Sequence, residues 1–212
     1  MPILDTWWKI AILIGSLGLL RLGFRYATWV SESARKGAIE FLDSALLALL
    51  LVFFLIRPFI VQAYFIPSDS MVPTLHRGDR ILVLKFTYRL RDPKRGEIVV
   101  FRAPPAAANG AKKDFIKRVM GLGGETVAVE HQPKLAENLL VVDDKPMKEP
   151  YIREPMAYEF SERRIPKGAL FVMGDNRNDS NDSHRWGFLP RRNLEGKAVL
   201  RFWPPARTGL VR

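Results

Sequence analysis

The sequence predicts a mainly β fold, an antiparallel β-sheet domain preceded by one or two N-terminal transmembrane helices. Apolar residues concentrate before Pro67, whereas the rest of the 212-residue chain alternates short apolar runs with turn-forming residues. No helical pattern separates those runs, so neighbouring strands are expected to pair antiparallel. We expect a first apolar span with a cytoplasmic loop over residues 1–37, a transmembrane helix over 38–65 and an extracytoplasmic β-rich domain over 66–212.

The first apolar span runs from Trp7 to Leu20 and is interrupted by Lys9. Its length falls short of the roughly 20 residues that cross a hydrocarbon core. A cleavable signal peptide is one alternative, although the preceding segment is poor in positive charge. A helix lying in the plane of the membrane interface is another.

The second apolar run begins at Phe41 and continues to Phe65, broken early by Asp43 and Ser44. This run is the clearer membrane span. In the loop between the two spans, the basic residues Arg21, Arg25, Arg35 and Lys36 outnumber the acidic residues. The positive-inside tendency therefore places this loop in the cytoplasm and everything after Phe65 on the other side.

The predicted strands of the remaining chain are rich in Val, Ile, Leu and Phe and are bounded by Gly, Asp or Asn. They are Arg80–Phe86, Glu97–Arg102, Phe115–Met120, Glu125–Glu130, Leu139–Val142, Leu170–Met173 and Ala198–Trp203. Residues Pro104–Lys113 are expected to form an exposed loop.

Composition excludes several chemistries. Cysteine is absent, so disulfides, thiol nucleophiles and cysteine-ligated zinc are ruled out. The net charge of +11 suits nucleic acid or anionic lipid. With membrane spans present, we expect lipid as a partner and no nucleic acid.

Ser68 and Ser70 come directly after the second apolar run, where the chain would leave a membrane. On a strand they would share one face, with Cα atoms roughly 6.6 Å apart. Ser70 could then attack a carbonyl carbon, while the Ser68 hydroxyl and the Ser70 backbone N–H stabilise the oxyanion. Taken alone, a serine near prolines more commonly serves as a turn residue.

Lys117 is the second chemical signal. On a strand it would share a face with Phe115 and Val119, while Arg118 would lie on the other face. Apolar neighbours lower a lysine pKa and let the neutral amine accept a proton from a serine hydroxyl. The alternative is an edge-strand lysine that points to water.

The acidic residues Asp175, Asp179 and Asp182 do not follow the EF-hand spacing, because Arg177 occupies the third position of the would-be loop. We expect no metal. The segment is instead predicted to be a polar loop whose side chains bond the backbone and pair with Arg177. The chain's histidines show no order that predicts a competing base and are expected at the surface: His76, His131 and His184.

Four segments resemble, in the same order, the motifs of the bacterial type I signal peptidases, also called leader peptidases, a family of Ser-Lys dyad serine proteases. They are Ile66–Leu75, Lys117–Gly121, Gly174–Arg177 and Ser180–Ser183. The resemblance implies that Ser70 is the nucleophile and Lys117 the general base, with Ser68 and Ser70 forming the oxyanion hole. It also implies that residues 66–212 form the catalytic domain, with the β fold of that family.

The same resemblance assigns further residues. Those that would support the site are Ser180, Asp182, Asp175, Arg177 and Arg118. Those that would line the pockets for small substrate residues are Ile66, Met71, Leu75, Phe115 and Ile116. Two positions depart from the family pattern: His184 stands where many members have arginine, and Gly123 replaces a common proline.

The function implied is that of a membrane-bound serine endopeptidase that cleaves N-terminal signal peptides after small residues, at sites of the Ala-x-Ala type. The implied location is the bacterial inner membrane, with the catalytic domain on the periplasmic side. Exported preproteins and membrane lipid are the expected partners, and we expect a monomer without a cofactor. Two alternatives stay open: a Ser-Lys peptidase dedicated to one substrate class, such as a pilin or conjugation component, and a non-enzymatic basic binding module tethered to the membrane.

Overall fold

The computed structural model describes residues 7–56 and 60–211. These residues divide into two compact units at Gln62–Ala63, which are described separately.

The N-terminal unit consists of two helices. Helix α1 spans Trp7–Tyr26, and helix α2 spans Glu32–Leu50 and continues as a π-helical turn over Leu51–Ile56. The side chain of Arg21 on α1 donates hydrogen bonds to Asp43 on α2. Among the described residues, one helix, Glu32–Phe54, is long and apolar enough to span a membrane by length and composition.

The predicted second span is not helical to its end. Residues 57–59 lie outside the described residues, and Val61–Phe65 form strand β1 rather than the last turns of a helix. Strand β1 pairs with the edge of a sheet, and Tyr64 is buried in its core. Apolar content alone does not distinguish a lipid-facing helix from a strand that packs on a protein core.

The larger unit contains two antiparallel sheets. The first has the strand order β1-β2-β11-β3-β4-β9-β10, with β12 paired to β11. After β1, these strands are β2 (Arg80–Leu84), β3 (Ile98–Arg102), β4 (Asp114–Gly121), β9 (Ala169–Met173), β10 (Leu189–Pro190), β11 (Leu194–Trp203) and β12 (Gly209–Leu210). The second sheet has the order β7-β6-β5-β8, formed by β5 (Thr126–Gln132), β6 (Glu137–Val142), β7 (Lys145–Pro146) and β8 (Phe160–Arg164).

This architecture confirms the mainly antiparallel β prediction, since every strand pair with a described register is antiparallel. All seven predicted strands are present with shifts of a few residues at their ends. The short helices of this unit are α3 (Thr87–Leu90), α4 (Pro105–Ala108) and α5 (Ser183–Trp186). The exposed loop expected at Pro104–Lys113 is wrong in part, because α4 buries Ala107 and Ala108 against Phe115 and Trp186.

Strand β4 is central to the packing because its two faces belong to different apolar clusters. Phe115 and Val119 pack on one face, as the alternation predicts. On the other face, Ile116 joins a cluster with β2 and β3, and Met120 packs between the two sheets. A strand held from both sides is a rigid support for the one lysine that it carries.

Candidate active site

Ser68 and Ser70 lie in a turn, not on the strand that the sequence analysis assumed. We call residues 66–79 the serine turn; it links β1 to β2 and is closed by backbone hydrogen bonds such as Val72 N to Asp69 O, 3.1 Å. The turn brings the hydroxyl oxygens of Ser68 and Ser70 to 3.4 Å, closer than strand geometry would place them. The strand assumption was wrong, but both hydroxyls still face one point.

Lys117 on β4 reaches this point. Its Nζ lies 2.7 Å from Oγ of Ser70, and the two residues are 4% and 9% exposed. Burial lowers the pKa of the Lys117 ammonium from 10.5 to about 8, although the charges of Asp182 and Asp175 act to raise it. An amine with this pKa is substantially neutral in mildly alkaline solution.

The loop after β9 holds the serine turn against β4. We call residues 174–187 the glycine loop. Met173 on β9 pairs with Arg118 on β4, so Gly174 continues the chain beside Lys117. The backbone N–H of Asn176 donates to the carbonyl of Ser70, 3.2 Å, and its side chain donates to the carbonyl of Asp69, 3.2 Å.

Gly174 is required for this close approach. A Cβ at that position would lie 2.3 Å from Oγ of Ser180 and 2.4 Å from the carbonyl oxygen of Ser70. Real Cβ atoms do not come so near to other atoms. The serine turn and the glycine loop can therefore meet only where residue 174 has no side chain.

The buried Asp182 carboxylate holds the glycine loop together by accepting hydrogen bonds from within that loop. One carboxylate oxygen accepts from the backbone N–H of Gly174, 2.8 Å, and the other accepts from Nδ1 of His184, 2.6 Å. Burial acts to raise the pKa of this carboxyl, but the hydrogen bond from His184 holds it below its usual range. Asp182 is thus a buried anion beside the lysine.

Ser180 is buried next to Gly174, and its hydroxyl makes no well-formed hydrogen bond with the described residues. It is nevertheless close enough to Asp182 to help hold the pKa of that carboxyl down. A direct bond to Lys117, which the family resemblance implies, is not among the described contacts. That role stays a prediction.

Arg118 and Asp175 form a buried ion pair near the contact between Ser70 and Lys117. The guanidinium donates from Nε and Nη2 to the two carboxylate oxygens at 2.8 and 2.6 Å, and its Nη1 donates to the carbonyl of Gly96. Thr74 of the serine turn donates to the same carboxylate at 2.5 Å. The pair therefore ties the serine turn to β4.

The expectation that loop carboxylates pair with Arg177 is wrong. The buried guanidinium of Arg177 instead makes two hydrogen bonds to Glu149, at 2.8 and 2.5 Å, and one to the carbonyl of Gly174, 3.0 Å. Glu149 lies between β7 and β8, in a segment without a periodic pattern. Nothing in the sequence marks it as a partner.

Four of the five predicted pocket residues share one apolar cluster, namely Ile66, Met71, Leu75 and Ile116. The fifth, Phe115, packs in a different cluster with Phe101 and Trp186. The ring of Phe115 lies 5.8 Å from Nζ of Lys117, so it contributes to the apolar surroundings of the amine. Their role in substrate binding stays a prediction.

Besides Glu149 and Thr74, His184 and Asn176 are residues whose site roles were missed at the sequence level. His184 is only 12% exposed at its side chain and bonds Asp182, so its expected place at the surface was wrong. Asn176 lies inside the motif Gly174–Arg177, and its position between Asp175 and Arg177 was the signal that could have identified it. Within residues 7–56 and 60–211, the active-site region included, no group of three or more His, Asp or Glu side chains is placed to hold a metal ion.

The arrangement has the parts of hydroxyl-nucleophile chemistry. The Lys117 amine, whose pKa is lowered by burial, contacts a serine hydroxyl at 2.7 Å, and a second hydroxyl lies 3.4 Å from the first. The charge of the buried Asp182 carboxylate acts on this amine. A serine activated by a base can attack a carbonyl carbon and form an acyl intermediate.

Comparison with known proteins identifies a matching family and several similar proteins. Residues 38–203 match the family described as signal peptidase, peptidase S26. Similar relatives include a probable signal peptidase I-2 of Synechocystis sp., 47% identical over 157 residues that cover 74% of this chain and 69% of the relative. Another is a signal peptidase I of Leptolyngbya laminosa, 43% identical over 157 residues that cover 73% of this chain and 74% of the relative. A crystal structure of a signal peptidase I from Enterococcus faecalis V583 aligns with a TM-score of 0.41 and 26% identity, over 50% of this chain and 97% of the other.

Proposed function

Because this chain belongs to the signal peptidase family, peptidase S26, we propose that it is a membrane-bound serine endopeptidase in which Lys117 activates Ser70. It is a peptidase, a hydrolase that processes signal peptides, and this excludes the non-enzymatic binding module. The observation that carries the proposed dyad is the buried 2.7 Å contact between Nζ of Lys117 and Oγ of Ser70.

In the proposed reaction, the neutral Lys117 amine takes the proton of the Ser70 hydroxyl as its oxygen attacks the scissile carbonyl. The backbone N–H of Ser70 and the hydroxyl of Ser68 stabilise the oxyanion. The lysine then gives its proton to the leaving amine, and an acyl-enzyme forms on Ser70. The leaving amine is the amino terminus of the mature protein, and water, activated by the same lysine amine, then releases the acyl group from Ser70 as the cleaved signal peptide.

The proposed substrates are exported preproteins with small residues before the scissile bond. Met71, one of the apolar cluster of Ile66, Met71, Leu75 and Ile116, directly follows Ser70 in the chain, and we propose that this cluster borders the pocket for small side chains. The proposed anchor is the helix Glu32–Phe54, which would keep the enzyme at the membrane that holds the apolar part of its substrate. We further propose that the β domain lies on the extracytoplasmic side.

Cleavage of a precursor with an Ala-x-Ala site by the purified full chain in detergent tests the dyad. Ser70→Ala and Lys117→Arg should each abolish cleavage, because alanine has no nucleophile and a guanidinium does not deprotonate in proteins. Ser161→Ala and Lys113→Arg change the same residue types at exposed positions and should leave cleavage unchanged. Turnover by the Lys117→Arg enzyme would exclude the lysine as base.

The pH dependence gives a second test. With the pKa of Lys117 lowered to about 8, kcat/KM should rise from acid pH and level off above this value. A profile that is flat from pH 6 to pH 10 would contradict a lysine base. Mass spectrometry of the peptides released from a mixture of precursors distinguishes a general signal peptidase from one dedicated to a single substrate class.

A further inference from the structure

The imidazole of His184 lies between a carboxylate and a guanidinium. Its Nδ1 is 2.6 Å from Oδ1 of Asp182, and Nε of Arg185 is 3.2 Å from its Nε2. The ring stacks on Tyr158 with centroids 4.2 Å apart and planes inclined by 16°. Asp182, Arg185 and Tyr158 are the charged or titratable groups in described contact with the ring.

These contacts assign the position of the ring hydrogen. Nε of Arg185 always carries a hydrogen, so it can donate only to a lone pair on Nε2. The hydrogen of the imidazole is then on Nδ1, from which it donates to Asp182. A doubly protonated ring would set two donors, Nε2–H and the N–H of Arg185, against each other, so the geometry favours the neutral form.

Asp182 connects His184 to Ser70 and Lys117, through Gly174 and through its own charge. The carboxylate receives the Nδ1 hydrogen on one oxygen and the Gly174 N–H on the other. Gly174 in turn abuts the carbonyl of Ser70. The charge of Asp182 also acts on Lys117 and raises the pKa of its ammonium against the effect of burial.

We propose that His184 is a positioning residue of the peptidase reaction, which as a neutral donor orients the Asp182 carboxylate onto Gly174 without cancelling its charge. The negative charge of Asp182 continues to act on Lys117 and helps to set the pH at which the Lys117 ammonium loses its proton. A permanent cation at position 184 would still hold the carboxylate but would neutralise it, so the amine would lose its proton at lower pH. This inference rests on the proposed function, in which Lys117 is the base.

The test compares three single variants of the full chain in detergent by their kcat/KM profiles from pH 6 to pH 10. His184→Arg should move the rising limb toward acid pH by about half a unit or more, because a unit charge is added beside Asp182. His184→Asn keeps a neutral donor near the position of Nδ1; its limb should stay in place and its kcat/KM within about tenfold of the unmodified enzyme. His131→Arg makes the same charge change at an exposed residue of the second sheet and should move nothing.

The inference is overturned if His184→Arg leaves the limb in place, or if His184→Asn moves it as far as His184→Arg does. Failure of the proposed function looks different: the unmodified enzyme itself would then show no rising limb, or Lys117→Arg would keep its activity.

A measurement on the unmodified chain covers the case in which His184→Arg does not fold. The chain contains three histidines, so 15N labelling of histidine gives few ring signals, and loss of one signal in His184→Asn assigns it. Near pH 8 we expect the 15N shifts of a neutral ring with its hydrogen on Nδ1. A doubly protonated ring, or a hydrogen on Nε2, would refute the assignment on which the inference is built.

Discussion

Lys117→Met should stabilise the folded protein at neutral pH while removing its activity. Methionine fills a similar space without a charge, whereas Lys117 is 4% exposed and its ammonium is desolvated. A pKa lowered from 10.5 to about 8 disfavours the charged form in the folded state by about 3 kcal/mol, since one pKa unit is worth about 1.4 kcal/mol. The proposed base is thus held in place at the expense of stability.

The sign of the pH dependence follows from proton binding. Between pH 8 and 10.5 the unfolded chain keeps the lysine proton and the folded chain does not, so the unfolding free energy rises with pH across this window. Below pH 8 the penalty is fully present, and above 10.5 it is gone. Lys117→Met lacks this dependence.

Urea unfolding at pH 7 and pH 10, followed by tryptophan fluorescence in detergent, measures the effect. The stability advantage of Lys117→Met over the unmodified protein should fall by about 2 kcal/mol or more between the two pH values. Comparing two variants cancels the titration of all other groups. Lys113→Met, at an exposed position, should show no such change. An advantage that is equal at both pH values would refute the reasoning that burial lowers the pKa of Lys117.

Three further predictions concern the residues around the dyad. Gly174→Ala should lower kcat/KM by about 10²-fold or more through displacement of the serine turn, whereas Gly209→Ala, with no atom near its Cβ position, should be neutral; an active Gly174→Ala enzyme would contradict the steric argument. Asp175→Asn should cost about 3–5 kcal/mol in urea unfolding, because it leaves a buried guanidinium without its counter-charge; Asp144→Asn at an exposed turn is the control and should cost under about 0.5 kcal/mol. Ser68→Ala should lower kcat by about 10²–10³-fold if its hydroxyl stabilises the oxyanion, and an unchanged kcat would remove it from that role.

The strands were predictable from sequence where apolar residues alternate or cluster between turn residues. Strand β8, Phe160–Arg164, was missed because most of its side chains are charged or polar and exposed. Strand β1 was missed for the opposite reason, since its apolar residues continue the preceding apolar run beyond Arg57 and Pro58. In both cases the pairing partner, which is distant in sequence, decides the structure, and the local residues carry little sign of it.

The contact between Ser70 and Lys117 was foreseen because the family resemblance names both residues, and strand alternation put Lys117 on the face of Phe115, whose ring lies 5.8 Å from its Nζ. The geometry that joins the two residues was not predictable. It depends on the turn that replaces the assumed strand and on Asn176, whose bonds to that turn connect segments far apart in the chain. Patterns within a segment show which groups are available, whereas contacts between segments fix their distances.

The position of β11 in the first sheet has a consequence for biosynthesis. This strand lies between β2 and β3, although it is the last long strand of the chain. Until Leu194–Trp203 have been made, β2 and β3 lack their common neighbour and the sheet has a gap at its middle. Folding therefore waits for the C-terminal segment and depends on contacts between remote parts of the chain. An enzyme assembled in this order cannot cut other proteins before its own C-terminal segment has joined the sheet.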